Sequence, residues 1–136
     1  MSLEAMVHRR WSHCRPLIDL VPMSRLFTGL ARGENGYPHV TLQRPGMPAV
    51  QSTSSGKRLA VETLAFRIWD NDLDRAQQVA AGIDQCFERA DFGWSEPQVL
   101  DMRRTNSCAE ETSPGLWLIT LTYSVRTCSE VRRGAA

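Results

Sequence analysis

The chain has no apolar run near the ~18–20 residues that cross a membrane; its longest candidate, Leu116–Leu121, is far shorter. It has no charge excess either. The formal net charge is +1 and the pI about 7.7, whereas nucleic-acid-binding domains commonly show a pI above ~9. That argues against a generic nucleic-acid binder. Lysine is nearly absent: Lys57 is the only one, so 15 of the 16 basic residues are arginine. No C-x-x-C pair occurs among Cys14, Cys86, Cys108 and Cys128, so the expectation is four free, buried thiols and no metal. Met1–Arg15 carries Glu4, His8, Arg9 and Arg10 among its apolar residues, which leaves no signal-peptide core. These absences together predict a soluble chain made in the cytoplasm.

What is present is an ordinary globular composition. Of 136 residues, 42% are hydrophobic and 23% charged, which rules out wholesale disorder. The length suits one domain that can bury a core without a disulfide or metal. Leu3, Met6, Val7, Trp11 and Cys14 draw one helical stripe, so Leu3–Leu20 reads as a first helix, broken or restarted at Pro16. Met23–Gly36 reads as a loop. Tyr37–Arg44 reads as a strand, with Val40 and Leu42 on one face and His39, Thr41 and Gln43 on the other. Pro45–Gly56 is rich in Pro, Gly, Ser and Thr and reads as a loop longer than most connections.

Leu59–Trp69 is a strong second strand whose Leu64, Phe66 and Ile68 face away from Arg67 and Trp69. Asp70-Asn71-Asp72 then stops the strand and supplies capping oxygens. The helix Leu73–Arg89 follows, with Leu73, Ala76, Val79, Ala80, Ile83, Cys86 and Phe87 in one stripe. Gln98–Thr105 reads as a third strand, Asn106–Gly115 as a polar turn region. Leu116–Arg126 reads as a fourth strand, and its Trp117, Ile119, Leu121 and Tyr123 are expected to pack on the helix. The expected fold is a two-layer α+β domain, an antiparallel four-stranded sheet covered on one face by two helices, in the order α-β-β-α-β-β. It spans residues 1–128, with 129–136 as a flexible C-terminal tail.

Several chemical constellations fail on inspection. Asp70-Asn71-Asp72-Leu73-Asp74 opens like a calcium loop, but Arg75 stands where the loop needs Gly and Ala81 where it needs Glu. His8 and His13 are five apart and do not share a helix face, so His8, His13 and Cys14 make a poor metal site. His39 alternates onto the face opposite Val40 and reads as a solvated or interface residue. Arg103-Arg104 and Arg132-Arg133 read as solvated pairs. No nucleophile elbow or phosphate-cradling loop occurs. The reading is therefore non-enzymatic, with no catalytic, cofactor or metal residue. The surface candidates are Arg67 and Trp69, which point away from the Leu64/Phe66/Ile68 face, and the loop residues Gln51, Ser52, Thr53, Ser54, Ser55 and Gly56. Trp94 and Trp117 could be core or interface anchors.

The segments also resemble a family. Arg25-Leu26-Phe27, then Gly36-Tyr37-Pro38-His39-Val40-Thr41-Leu42, then a Gly/Ser-rich loop, look like the tail-terminator or tail-completion proteins of long-tailed bacteriophages. Leu59–Trp69 with Asp70-Asn71-Asp72 and the helix Leu73–Phe87 is similar to their central strand–helix unit. Leu116–Arg126 is similar to their closing strand. The resemblance covers roughly residues 3–128; the proline-interrupted first helix departs from the pattern. It implies a homo-oligomeric ring, usually a hexamer, in the tail or neck of a virion. Such a ring stops tail-tube polymerisation and joins the tail tube protein to a head connector or head-completion protein. DNA only passes through its channel, and no membrane or cofactor is involved. Two other classes remain: another neck component such as a head–tail joining protein, and a small α+β ligand-binding domain or enzyme using His39 or the His13/Cys14 pair.

Overall fold

The computed structural model describes residues 2–31, 36–92 and 98–130. The N-terminal stretch folds as two helices, α1 (Leu3–Trp11) and α2 (Arg15–Leu20). Ser2 caps α1 by accepting the Ala5 N–H at 3.1 Å. Pro16 sits in the first turn of α2, where its missing N–H costs no helical bond. A short 3-10 turn at Met23–Arg25 leads into β1 (Leu26–Thr28), followed by β2 (His39–Gln43), β3 (Ala49–Ser52) and β4 (Lys57–Asp70). Helix α3 (Leu73–Phe87) connects to the hairpin of β5 (Gln98–Ser113) and β6 (Leu116–Glu130).

The six strands form one sheet in the order β1-β2-β4-β6-β5, with β3 added along β4. This corrects the expected antiparallel four-stranded sheet and its α-β-β-α-β-β order. β1 pairs with β2 in parallel, so the sheet is mixed. β1 lies inside the expected Met23–Gly36 loop, and β3 inside the expected Pro45–Gly56 loop. At three and four residues neither is long enough to show a period of two, and the sequence Ala-Val-Gln-Ser has no apolar face to alternate. The third strand also runs eight residues past Thr105, through what reads as polar turn. β6 carries on through Glu130, while residues 131–136, with Arg132-Arg133, lie outside the described residues, as does Trp94.

The helices lie on one face of the sheet. Cross-strand register sets Val40, Ile68 and Ile119 in one row and Leu42, Phe66 and Leu121 in the next. These residues are all buried, with Tyr123, Val125 and Met102 beyond them. α3 places Ala76, Val79, Ile83 and Phe87 over them. Trp11 of α1 is fully buried beside Phe66 and Phe87 and donates its indole N–H to the Val21 carbonyl at 3.1 Å. Trp117 stays half-exposed near the β5–β6 turn, unlike Ile119, Leu121 and Tyr123.

Gly82 costs the middle of the helix about 1 kcal/mol against alanine. Its reason is α2: a Cβ there would lie 2.8 Å from Leu17 Cδ2. α3 starts on Asp72, whose side chain accepts the Arg75 N–H at 3.2 Å. The fully buried Asp70 accepts both Arg75 Nε–H (2.8 Å) and Nη2–H (2.6 Å). Asp70 and Asp72, two of the carboxylates that mimic a calcium loop, are thus engaged in an ion pair and a cap. Near the other end of α3, Tyr123 donates its hydroxyl hydrogen to Asp84, which also pairs with Arg104. Burial first, then this bond to a carboxylate, raises the Tyr123 pKa above the ordinary phenol value.

The expectation of four free thiols also fails. Cys14, at the α1–α2 junction, is disulfide-bonded to Cys86 in the last turn of α3, 72 residues away in sequence. Cys108 and Cys128 are free.

Candidate assembly surface

The sheet face opposite the helices carries the candidate surface. On β4 the alternation sends Arg67 and Trp69 to this side, as the sequence suggests, and the Arg67 guanidinium lies 5.3 Å from the Trp69 ring centroid. Such a cation over an indole contributes about 0.5–1 kcal/mol at exposed sites. Register does the rest. His39 of β2 stands opposite Trp69, and Thr41 opposite Arg67. The His39 imidazole stacks between two rings, 5.5 Å from the Tyr37 centroid and 6.3 Å from that of Trp69, with Phe27 of β1 edge-on at 6.1 Å. Its Nδ1 lies 3.3 Å from the Gly36 carbonyl and donates to it in the matching tautomer. On the far side of β4, Leu118 stands opposite Trp69 and is only 2% exposed although no helix covers this face.

The result is a band of half-buried rings, Phe27, Tyr37, His39 and Trp69, ending in Arg67. Burial, the largest effect, lowers the His39 pKa; the Gly36 carbonyl opposes this, Arg25 adds to it and Asp70 opposes it. Burial thus favours the neutral form of the His39 ring. The band can offer flat apolar contact and one cationic edge, which is the chemistry of protein–protein anchoring residues.

The loop candidates lie elsewhere. Gln51 and Ser52 belong to β3, and Thr53–Gly56 form the tight turn that joins it to β4. Thr53 N–H donates to the Lys57 carbonyl at 2.8 Å, and the Thr53 hydroxyl accepts the Lys57 N–H at 3.2 Å. Gly56 adopts φ +81°, a conformation open to glycine and strained for most other residues. All six residues are exposed or half-exposed. They sit at the opposite end of β4 from Trp69, roughly 30–40 Å away at ~3.3 Å per residue. The structure thus brings Arg67 and Trp69 together and keeps Gln51–Gly56 apart as a projecting hairpin tip.

The residues of the enzyme alternative do not assemble. Cys14 is tied to Cys86 and offers no thiolate to His13. His39 is packed among rings. Among the described residues no group of three His, Cys, Asp or Glu side chains is placed to hold a metal. A shallow cleft of about 370 Å³ lies between β4 and the start of the long loop, lined by Arg44, Pro45, Gly46, Pro48, Glu62 and Thr63. Arg44 is held there by Glu4 and Glu62.

No protein-family model matches the chain, and comparison with curated proteins returns no match. Among solved structures the chain is similar to a chain of the virion of a native gene transfer agent (GTA) particle. The TM-score is 0.79 at 18% sequence identity, over 94% of this chain and 96% of that one. The two chains share a fold over nearly their full lengths.

Proposed function

We propose that the chain is a structural protein of a phage-like particle and acts as its tail terminator. Copies close into a ring, six in number, at the head-proximal end of the tail tube, stop its growth and present a surface to the head connector. The observation that carries this reading is the likeness of fold over nearly the full length of both chains, to a component of a gene transfer agent virion. The residue-level resemblance to tail terminators at Arg25–Phe27, Gly36–Leu42 and Leu59–Phe87 points the same way.

The surfaces suit repeated head-to-tail contact. Each copy has an aromatic band with a cationic edge on one sheet face and a projecting hairpin tip some tens of ångströms away. Two different patches on one chain are what a heterologous ring contact needs, and a ring closes it without leaving patches unpaired. About 800 Å² per partner suffices for a stable interface. The ring channel passes DNA without base contacts, in keeping with a net charge of +1. No membrane and no cofactor take part, and the protein has no catalytic role.

Purified chain, alone and mixed with tail tube protein from the same particle, tests the reading by native mass spectrometry and negative-stain microscopy. Closed rings of six, seated on tube ends, are expected. Trp69→Ala and deletion of Gln51–Gly56 should each leave the monomer folded and reduce ring yield. A chain that stays monomeric in the presence of tube ends contradicts the proposal.

A further inference from the structure

The outer edge of β5 is a long strand edge open to solvent. Near its start β5 is covered on this side, where Val99 pairs with Phe92, the Met102 carbonyl accepts the Arg89 N–H and the Arg104 N–H donates to Glu88. Beyond Arg104 its only neighbour among the described residues is β6, and every residue from Arg103 to Ser113 is exposed. An open edge of this length is a template for another strand unless it is guarded. Its charges are ordered along the strand: Arg103 and Arg104 at one end, Glu110 and Glu111 at the other, with Thr-Asn-Ser-Cys-Ala between. Among the described residues Glu110 and Glu111 make no ion pair, while Arg103 approaches Asp101 only at 3.9 Å.

The complement to this order lies in the chain itself. The two other free edges, β1 (Leu-Phe-Thr) and β3 (Ala-Val-Gln-Ser), carry no charge. A second β5 laid parallel would set Arg against Arg and Glu against Glu. Laid antiparallel, it sets each basic end against an acidic end, twice. Side-chain alternation fixes the register further. Register shifts at Thr105 and Thr112 bound a regular window in which Asn106, Cys108 and Glu110 share one face and Ser107, Ala109 and Glu111 the other. Residues opposite one another across two strands must share a face. With the axis beside Cys108, Asn106 faces the partner's Glu110 and Ser107 the partner's Ala109. Arg104 ends the pairing window at the Thr105 shift, because its guanidinium is held by Asp84 and its N–H by Glu88. Arg103 lies diagonal to the partner's Glu110, within reach of long side chains.

We propose that two copies of the chain pair edge to edge through β5, antiparallel, about a two-fold axis beside Cys108. The partner is a second copy, recognised by backbone hydrogen bonds and by the matched order of charges. Such a contact is the same patch on both chains, so it is distinct from the head-to-tail contact of a ring. It covers the open edge of the free chain, and its loss leaves ring formation untouched. A single strand edge of about 30 Å is smaller than a standard interface, so the dimer dissociates in the micromolar range and weakens with salt.

Cys108 is the built-in reporter, being free and exposed. Opposed Cα atoms in an antiparallel pair lie about 4.5–5.5 Å apart, inside the disulfide range. The native full chain is treated with diamide, which takes up the two electrons and two protons released as the S–S bond forms. A covalent dimer through Cys108 is expected, absent in Cys108→Ser, which still dimerises by sedimentation. Arg103→Glu alone and Glu110→Arg alone should each weaken the dimer at least tenfold. An equal mixture of the two should recover it, because both glutamates of one chain then face both arginines of the other. Circular dichroism on each variant establishes that it folds. A chain monomeric at ~200 µM, a crosslink through Cys128 instead, or a mixture that fails to recover overturns the proposal.

Discussion

Replacing Trp11 by alanine is the sharpest stability test of this core. The ring is fully buried, with its centroid 6.3 Å from those of both Phe66 and Phe87. It therefore ties α1 to the central strand and to α3 at once. Truncation of a buried tryptophan costs about 3–5 kcal/mol through lost contact and the cavity left behind. The indole N–H also satisfies the Val21 carbonyl, on a residue itself fully buried. Stripping that acceptor adds about 1–3 kcal/mol. The sum, about 4–8 kcal/mol, is a large part of the ~5–15 kcal/mol that holds a domain folded. Trp11→Phe keeps a ring against Phe66 and Phe87 but loses the hydrogen bond, so it should cost about 2–3 kcal/mol. Urea unfolding without reductant, followed by circular dichroism, gives both values. Trp69→Ala is the control: half-buried on the open face, it should cost about 1–2 kcal/mol. If Trp11→Ala costs no more than Trp69→Ala, the reasoning about the core is wrong.

Other outcomes follow from the same structure. Under denaturing conditions without reductant, alkylation should label two of the four cysteines, and all four after reduction; four labelled without reductant would remove the Cys14–Cys86 bond. The disulfide closes a long loop, and Cys14→Ser/Cys86→Ser should lower stability by about 4 kcal/mol on the loop-entropy estimate for 72 residues of separation. Burial, the dominant effect, lowers the pKa of His8 and of His39. The unfolded chain then binds protons first as pH falls through about 6.5, so the urea midpoint should drop from there downward until the folded imidazoles titrate. The double variant His8→Gln/His39→Gln should flatten that drop, and a midpoint that rises between pH 7 and 5.5 contradicts the burial of these rings.

The parts of the fold legible in the sequence are those with one wet and one dry face. β4 alternates Leu64, Phe66 and Ile68 against Arg67 and Trp69, and α3 carries an unbroken stripe, so both could be read within two or three residues of their ends. The second half of β5 has no dry face. Arg103–Ser113 lies at the sheet edge with every residue exposed, so its composition is that of a turn; the ladder to β6 makes it a strand. β1 and β3 are set by pairing to longer neighbours rather than by their own few residues. The Cys14–Cys86 bond depends on how α1 and α2 meet α3, which spacing does not encode. At the surface, the outward side of Arg67 and Trp69 followed from alternation alone. The stacking of His39 between Tyr37 and Trp69 needed the β2–β4 register, and the separation of Gln51–Gly56 from Trp69 needed the strand length.

The most direct test of the account is the length of tails made without this chain. Particles produced from a genome lacking it, and from one complemented with it, are measured by electron microscopy. The terminator reading predicts tails that overrun their normal length and fail to join heads when the chain is missing, with both defects reversed on complementation. Tails of normal length that stay unjoined would move the role to head–tail joining. Tails of normal length joined to heads would contradict the account.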